Sequence, residues 1–154
     1  MKKNIEAVTE IFDNLRRIFQ AINEYSKTVE RSTGLTGPQL WALKLLTDAA
    51  PMRVSDLARR MYLRPPTVVG ILDRLEVKGL VTRTHSSKDR RVVEIDLSSQ
   101  GKELVAKAPE VAQDMLMKGL DKLTDKQFAC VEEGMKLMAK VLSAEHLIPQ
   151  PLHS

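Results

Sequence analysis

The stretch that most constrains the fold runs from residue 54 to residue 97 and reads VSDLARRMYLRPPTVVGILDRLEVKGLVTRTHSSKDRRVVEIDL. Ser55 is a good N-cap and predicts a short helix over residues 56–61. After three more residues, Pro65-Pro66-Thr67 opens a second helix over residues 68–78, because proline suits the first turn of a helix. Two helices of this size joined by a turn of about three residues predict a helix-turn-helix.

Two extended segments follow this pair of helices, at residues 80–85 and 92–97. β-branched residues recur along both segments, as they do in strands. The polar residues 86–91, SSKDRR, lie between the two segments. The pattern predicts a β-hairpin with a basic tip, called a wing.

The rest of the chain has helical periodicity. Residues 5–31 form a long predicted helix with a wide apolar stripe, and Thr36 with Pro38 begins another that runs to about residue 49. Ser98 or Ser99 is expected to cap a later helix, which Pro109 should kink or break. The capping box Thr124-Asp125-Lys126-Gln127 starts a last helix over residues 125–144. We therefore expect a mostly α fold of about six helices with one small hairpin.

Basic residues are concentrated in the middle of the chain. Residues 53–91 include ten Lys or Arg and four Asp or Glu, whereas the remainder holds 14 basic and 16 acidic residues. A local positive excess is expected where a protein faces a polyanion, although a solvated basic surface has the same composition.

Composition also limits the class of protein. No apolar segment follows Lys2 and Lys3, so we expect no signal peptide, and no apolar run approaches the ~18 residues of a membrane span. Cys130 is the single cysteine, which excludes an intrachain disulfide. We expect a cytoplasmic protein with no membrane partner.

Catalytic and metal motifs are missing from the sequence. The three histidines are scattered, and there is no H-E-x-x-H, C-x-x-C, Gly-rich phosphate loop or G-x-S-x-G. We therefore expect no enzyme activity, no metal and no cofactor.

Four short motifs, in order along the chain, resemble the MarR family of bacterial and archaeal transcription regulators. They are Val54-Ser55-Asp56-Leu57-Ala58; Thr67-Val68-Val69 with Leu72-Asp73-Arg74-Leu75-Glu76 and Gly79-Leu80-Val81; the wing residues Asp89-Arg90-Arg91; and Leu97-Ser98 followed by Gly101. The resemblance covers residues 5–145.

The resemblance implies an intertwined homodimer that binds operator DNA and responds to small ligands. Residues 5–34 and 99–145 would supply the dimerisation helices, residues 36–98 the DNA-binding lobe, and residues 146–154 an irregular tail. We expect a transcription regulator that binds double-stranded DNA sequence-specifically and acts as a repressor on a palindromic operator. The rival interpretation is a winged-helix module that binds protein or RNA, and the basic wing favours DNA over it.

The expected DNA-binding residues lie just before the first of the two helices, at the turn between them, on the second helix and at the wing. They are Arg53, Arg64, Pro65, Pro66, Thr67, Gly70, Arg74, Lys88, Asp89, Arg90 and Arg91. The family often places Ser, Thr or Arg at the exposed start of the second helix, where this chain has Pro65, Pro66, Val69 and Gly70.

Two further residues are candidates for sensing a signal. Tyr25 and Trp41 are candidates for lining a cavity that takes a small aromatic or phenolic anion, and ordinary core packing is the alternative for both. Cys130 lies in a row with Phe128 and Val131, so we interpret it as a small core residue and not as an oxidant sensor.

Overall fold

A computed structural model describes residues 4–152, and in this range the chain forms seven helices and three strands. In chain order they are α1 (Ile5–Thr33), α2 (Gly37–Ala49), β1 (Met52–Arg53), α3 (Val54–Met61), α4 (Pro65–Val77), β2 (Val81–His85), β3 (Val93–Leu97), α5 (Ser99–Ala106), α6 (Ala112–Asp121) and α7 (Asp125–Val141). The mostly helical fold with a helix-turn-helix and a small hairpin is thereby confirmed. Turns and irregular chain follow α7 up to residue 152, and residues 153 and 154 of the expected tail lie outside the described range.

Four of the described helices begin at side-chain caps that the sequence encodes locally, and the first of these caps is Asn4, which accepts from the N–H of Glu6 at the start of α1. Thr36 and Gln39 form a reciprocal capping box at the start of α2, and Thr124 and Gln127 form another at the start of α7. In each box the hydroxyl accepts from the backbone N–H three residues on, and the glutamine side chain accepts from the backbone N–H of the threonine. Ser98 caps α5 by accepting from the N–H of Gly101 at 3.0 Å.

One expectation about the helices was wrong. Ser55 is not an N-cap, because α3 already begins at Val54, directly after β1, and its N-cap Arg53 makes no side-chain capping bond. The break expected at Pro109 is confirmed, because the stretch containing this residue separates α5 from α6 and brings the described range to seven helices. Proline lacks the N–H that a helix interior needs, and it disfavours helical geometry in the preceding residue.

The three strands form one antiparallel sheet in the order β1-β3-β2. Register pairs Arg53 with Glu94 on one side of β3 and His85 with Val93 on the other. The short strand β1 therefore joins the start of the helix-turn-helix to the base of the wing.

The wing joins α5 at a close backbone approach. Gly79 has φ +72°, in the left-handed region that favours glycine, and its carbonyl accepts from the Ser98 hydroxyl at 2.6 Å. A Cβ at Gly101 would clash with the carbonyl oxygen of Leu80. These contacts fix α5 against the connection between α4 and β2.

The hydrophobic core lies inside the lobe built by α2, α3, α4 and the sheet. Its largest fully buried side chains include Leu40, Leu43, Leu46, Leu57, Met61, Leu72, Leu75 and Ile95. The two longest helices contribute little, because α1 buries only Val29 and α7 buries none of its 17 residues. None of the described helices combines the length and apolar character that crossing a membrane requires.

The interpretation of Cys130 as a buried core residue was also wrong. Cys130 is exposed in the single chain, as are its neighbours Phe128 and Val131. Their apolar row was recognised from the sequence, but nothing in the described part of the same chain covers it.

Candidate nucleic-acid interface

Helix α4 presents one face to the core and the other to solvent. Val68, Ile71, Leu72 and Leu75 are buried, so the periodicity of the helix places residues 66, 70, 73 and 77 on the opposite side. Pro65 and Pro66 occupy the first turn, and both are exposed. The exposed start of α4 is the element that a helix-turn-helix presents to the major groove.

Arg83 ties the wing to α4. Its guanidinium lies 2.6 Å from the Asp73 carboxylate and 3.1 Å from the Glu76 carboxylate, so one side chain on β2 holds two acids on the helix. This cluster fixes the angle between hairpin and helix and neutralises acids that would repel a phosphate. Arg83 was not among the residues predicted from the sequence, and its strand position and the i, i+3 spacing of Asp73 and Glu76 were the available signals.

The wing tip is a compact turn ordered by two side chains. The N–H of Lys88 donates to the Ser86 hydroxyl at 3.2 Å, and the N–H of Ser86 donates to the carbonyl of Val92 at 2.8 Å. The Asp89 carboxylate accepts from the backbone and guanidinium of Arg91. Ser86, which was not among the residues predicted from the sequence, is buried although the surrounding loop is polar.

The electrostatics of the tip keep Asp89 ionised. Hydrogen bonds from the Arg91 side chain and backbone lower the pKa of the Asp89 carboxyl below its usual 3.8, and the charge of Arg53 contributes further. The positive charge of Arg53 on β1 therefore acts on the carboxylate of Asp89 at the wing tip.

Each of the four acids in residues 53–91 is paired with an arginine of the same segment. Asp56 pairs with Arg59, Asp73 and Glu76 pair with Arg83, and Asp89 pairs with Arg91. Among residues 4–152, no ion pair involves the other cations of that segment, namely Arg53, Arg60, Arg64, Arg74, Lys78, Lys88 and Arg90. Ion pairs thus neutralise the negative charges of residues 53–91, and the surface of this segment keeps a net positive charge.

The sequence-predicted contact residues lie at the surface of the lobe. Those that are exposed are Arg53, Arg64, Pro65, Pro66, Gly70, Arg74, Lys88, Arg90 and Arg91. Thr67 and Asp89 are half-buried. They fall in three places: β1, the segment from the N-cap Arg64 through the first three turns of α4, and the wing tip.

A separate apolar cavity of about 370 Å³ lies between the lobe and α6. It is lined by Pro38, Trp41, Met61, Tyr62, Leu63, Gln113, Leu116, Met117, Leu120 and residues 149–152. The irregular tail closes one side, where the Gln113 side chain donates to the Leu152 carbonyl at 2.8 Å. Sequence analysis did not find the contribution of Gln113 and the tail, because they are 39 residues apart in the chain.

The two candidate ligand residues do not meet in this cavity. Trp41 lines it and is only 5% exposed, and its indole Nε1 finds no hydrogen-bond acceptor among residues 4–152. Tyr25 is half-buried on α1 and is not part of the lining. Within the described residues, no group of three or more His, Cys, Asp or Glu side chains is placed to hold a metal ion.

The sequence of this chain is similar to those of a known protein family. Residues 35–93 match the family model described as MarR family. The chain is 37% identical over 102 residues to the HTH-type transcriptional repressor MdtR of Bacillus subtilis (strain 168). That alignment covers 66% of this chain and 65% of the relative, so it spans just under two thirds of the relative's length.

Two further similar proteins match larger parts of this chain. The chain is 31% identical over 108 residues to the organic hydroperoxide resistance transcriptional regulator of Bacillus subtilis (strain 168), which covers 70% of this chain and 72% of that protein. The crystal structure of the YusO protein from Bacillus subtilis superposes with a TM-score of 0.53 at 31% identity. This superposition covers 93% of the chain and 99% of YusO, so the similarity includes the long helices outside the lobe.

Proposed function

Because the chain belongs to the MarR family of winged helix-turn-helix transcriptional regulators, we propose that it binds operator DNA as a homodimer and represses transcription until a small ligand binds. The observation that carries this proposal is the pairing of all four acids in residues 53–91, which leaves seven cations of that segment outside any ion pair among residues 4–152. A polyanion is the partner that such a surface fits.

The two ends of this surface suit the two grooves of a DNA duplex. The start of α4 enters the major groove, which is wide enough for a helix. Arg91, or alternatively Arg90, enters the adjacent minor groove, where a narrow groove concentrates negative potential and attracts a guanidinium. Lys88 and Arg74 lie near phosphates, and Asp89 orients Arg91 without itself touching DNA.

The apolar faces of α1 and α7 support a homodimer. Ile11, Phe12, Ile18 and Phe19 on α1 are all at least half exposed, and Met135 and Val141 on α7 are more so. An apolar surface of this extent on a single chain marks an interaction site. A second copy satisfies it, because two-fold symmetry brings α1 and α7 of both chains together and places two lobes on one duplex. The operator is then roughly palindromic, with half-sites about 10 base pairs apart.

The cavity beside Trp41 supports regulation by a small ligand. Trp41 lines the cavity with an aromatic ring, against which a planar aromatic ligand can pack. The lining is mostly apolar and lies between the lobe and α6, so a ligand in it changes how the lobe sits against the dimerisation helices. A small aromatic or phenolic anion fits this chemistry.

Repression is the direction that the similarity to the repressor MdtR favours. A protein bound over an operator blocks access to that DNA, which needs no further partner. We place the regulator in the cytoplasm, where it reaches DNA, and assign it no catalytic role.

The test is selection of bound duplexes from a random-sequence pool, using the full chain at physiological salt. We expect enrichment of an inverted repeat with half-site centres about one helical turn apart. Absence of any enriched duplex, together with capture of structured RNA in a parallel selection, would overturn the proposal in favour of an RNA-binding winged helix.

A further inference from the structure

The outward stripe of α4 is unusually poor in hydrogen-bonding groups. It begins with Pro66 and Gly70, and Val69 lies beside it with 39% of its surface exposed. The next outward residue, Asp73, is held by Arg83 and is therefore occupied. In the first turns of the helix, the Thr67 hydroxyl is the one polar side-chain group.

Gly70 has no role in the fold that its surroundings reveal. Glycine within a helix is less stable than alanine, so a helical glycine needs a reason. Gly70 does not have the positive φ found at Gly34 and Gly79, and a Cβ at residue 70 would meet nothing within 4 Å. The residue borders an open groove between α4, the start of α2 and the tail, which is also lined by Thr36, Pro38, Gln39, Thr67, Ile71, Arg74, Gln150 and Pro151. The missing side chain therefore leaves space on the outside of the protein, where a partner approaches.

Pro66, Val69 and Gly70 together form what we call the apolar notch: two apolar side chains next to an open position. In the major groove the 5-methyl group of thymine is the apolar feature among base edges that otherwise present donors and acceptors. A methyl group fits a surface that offers van der Waals contact and no hydrogen bond. Guanine, read best by a bidentate Arg or Lys, finds no such side chain at this notch.

We propose that the apolar notch reads thymine through its 5-methyl group, with Val69 and Pro66 contacting the methyl and Gly70 giving the base edge room to approach. This inference rests on the proposed binding of α4 to duplex DNA. It makes Val69 and Gly70 specificity-determining residues and predicts an operator half-site with at least one thymine whose methyl group is essential.

The test replaces thymine by deoxyuridine, which removes only the 5-methyl group. A duplex enriched from a random pool is made with each thymine replaced in turn, symmetrically in both half-sites, and affinities are measured by fluorescence anisotropy. Burial of one methyl is worth about fourfold in affinity, so its removal from both half-sites should weaken wild-type binding by roughly 10- to 20-fold at one position. Val69→Ala should bind the thymine duplex more weakly than wild type does. In this variant, the affinities for the thymine and deoxyuridine duplexes should be nearly equal.

Two variants separate recognition from stability. Val77→Ala removes an exposed valine from the same outward stripe, two turns beyond the notch, and should keep the full thymine preference. Gly70→Ala should raise the melting temperature by about 2–4 °C, as alanine favours the helix, yet weaken operator binding. Equal wild-type affinity for every deoxyuridine duplex would overturn this inference and leave the proposed function standing, whereas failure to bind any duplex would overturn both.

Discussion

Arg91 and Asp89 are joined by three hydrogen bonds across two residues at the tip of the wing. The Arg91 backbone N–H lies 3.0 Å from Asp89 Oδ1, its Nε lies 3.2 Å from the same oxygen, and its Nη2 lies 3.2 Å from Oδ2. The Arg91 side chain is nevertheless 91% exposed. The carboxylate therefore orients a guanidinium that remains open to a partner.

Arg91→Ala should weaken operator binding by about 1–3 kcal/mol, because the wing then lacks the guanidinium that enters the minor groove. The slope of log affinity against log salt should also fall in magnitude by roughly one for each phosphate that each lobe no longer neutralises. A salt titration by fluorescence anisotropy measures both effects. Arg17→Ala, which removes the same charge from α1, is the control and should leave the slope nearly intact. Identical titrations for Arg91→Ala and wild type would contradict the wing assignment.

The dimer prediction concerns the apolar face of α1. Phe19→Glu places a charge where a 61% exposed phenyl ring should be covered by the second chain, so we expect dissociation into monomers at micromolar concentration. Gln20→Glu adds the same charge one residue further along, on the polar side of the helix, and should remain dimeric. Sedimentation velocity distinguishes the two species. A wild-type protein that sediments as a monomer would refute the dimer.

Gly101 should be one of the most sensitive positions for stability. Gly101→Ala forces a Cβ onto the backbone carbonyl of Leu80, which cannot move without shifting the connection between α4 and β2. We expect a loss of about 1–3 kcal/mol in the free energy of unfolding, the range typical of overpacked positions. Gly119→Ala, where a Cβ would meet nothing within 4 Å, is the matched control. Urea denaturation with equal midpoints for both variants would show that the close approach does not constrain this position.

Trp41 is the single tryptophan, so its fluorescence reports directly on the cavity. Aromatic carboxylates or phenols that bind there should change the emission and release DNA partially, because allosteric coupling is typically about 1–3 kcal/mol. Trp41→Phe keeps an aromatic ring but removes part of the indole surface that lines the cavity, so it should still bind DNA while responding less to the same compounds. DNA release that is unchanged in Trp41→Phe would place the effector elsewhere.

Features encoded by neighbouring residues could be predicted from the sequence. The capping box of Thr124 and Gln127 and the turn containing Asp89 depend on contacts two or three residues apart, and both lie where the sequence placed them. The early start of α3 was missed because pairing of Arg53 with Glu94, 41 positions away, sets where the extended chain ends. Ser55 could not reveal that constraint.

Other features depend on contacts that no local pattern encodes. Arg83 is ten residues from Asp73, and its bridge follows from the angle between hairpin and helix. The cavity depends on the tail crossing back to Gln113. The burial of Cys130 was wrongly predicted because a row of apolar residues on a helix indicates a packing face. The row does not indicate whether the same chain or a second chain packs against it. The contacts with DNA remain predictions, since exposure and charge locate a surface but do not reveal the base edges opposite it.

The most direct test of the central claim is the stoichiometry of the complex. A fluorescent duplex enriched from the random pool is titrated with full-length protein at concentrations well above the dissociation constant, alongside an RNA duplex of the same sequence. The account predicts a break at two chains per DNA duplex and no comparable saturation with RNA, because two lobes of one dimer read two half-sites in B-form major grooves. A break at one chain per duplex, or equal binding of the RNA, would contradict it.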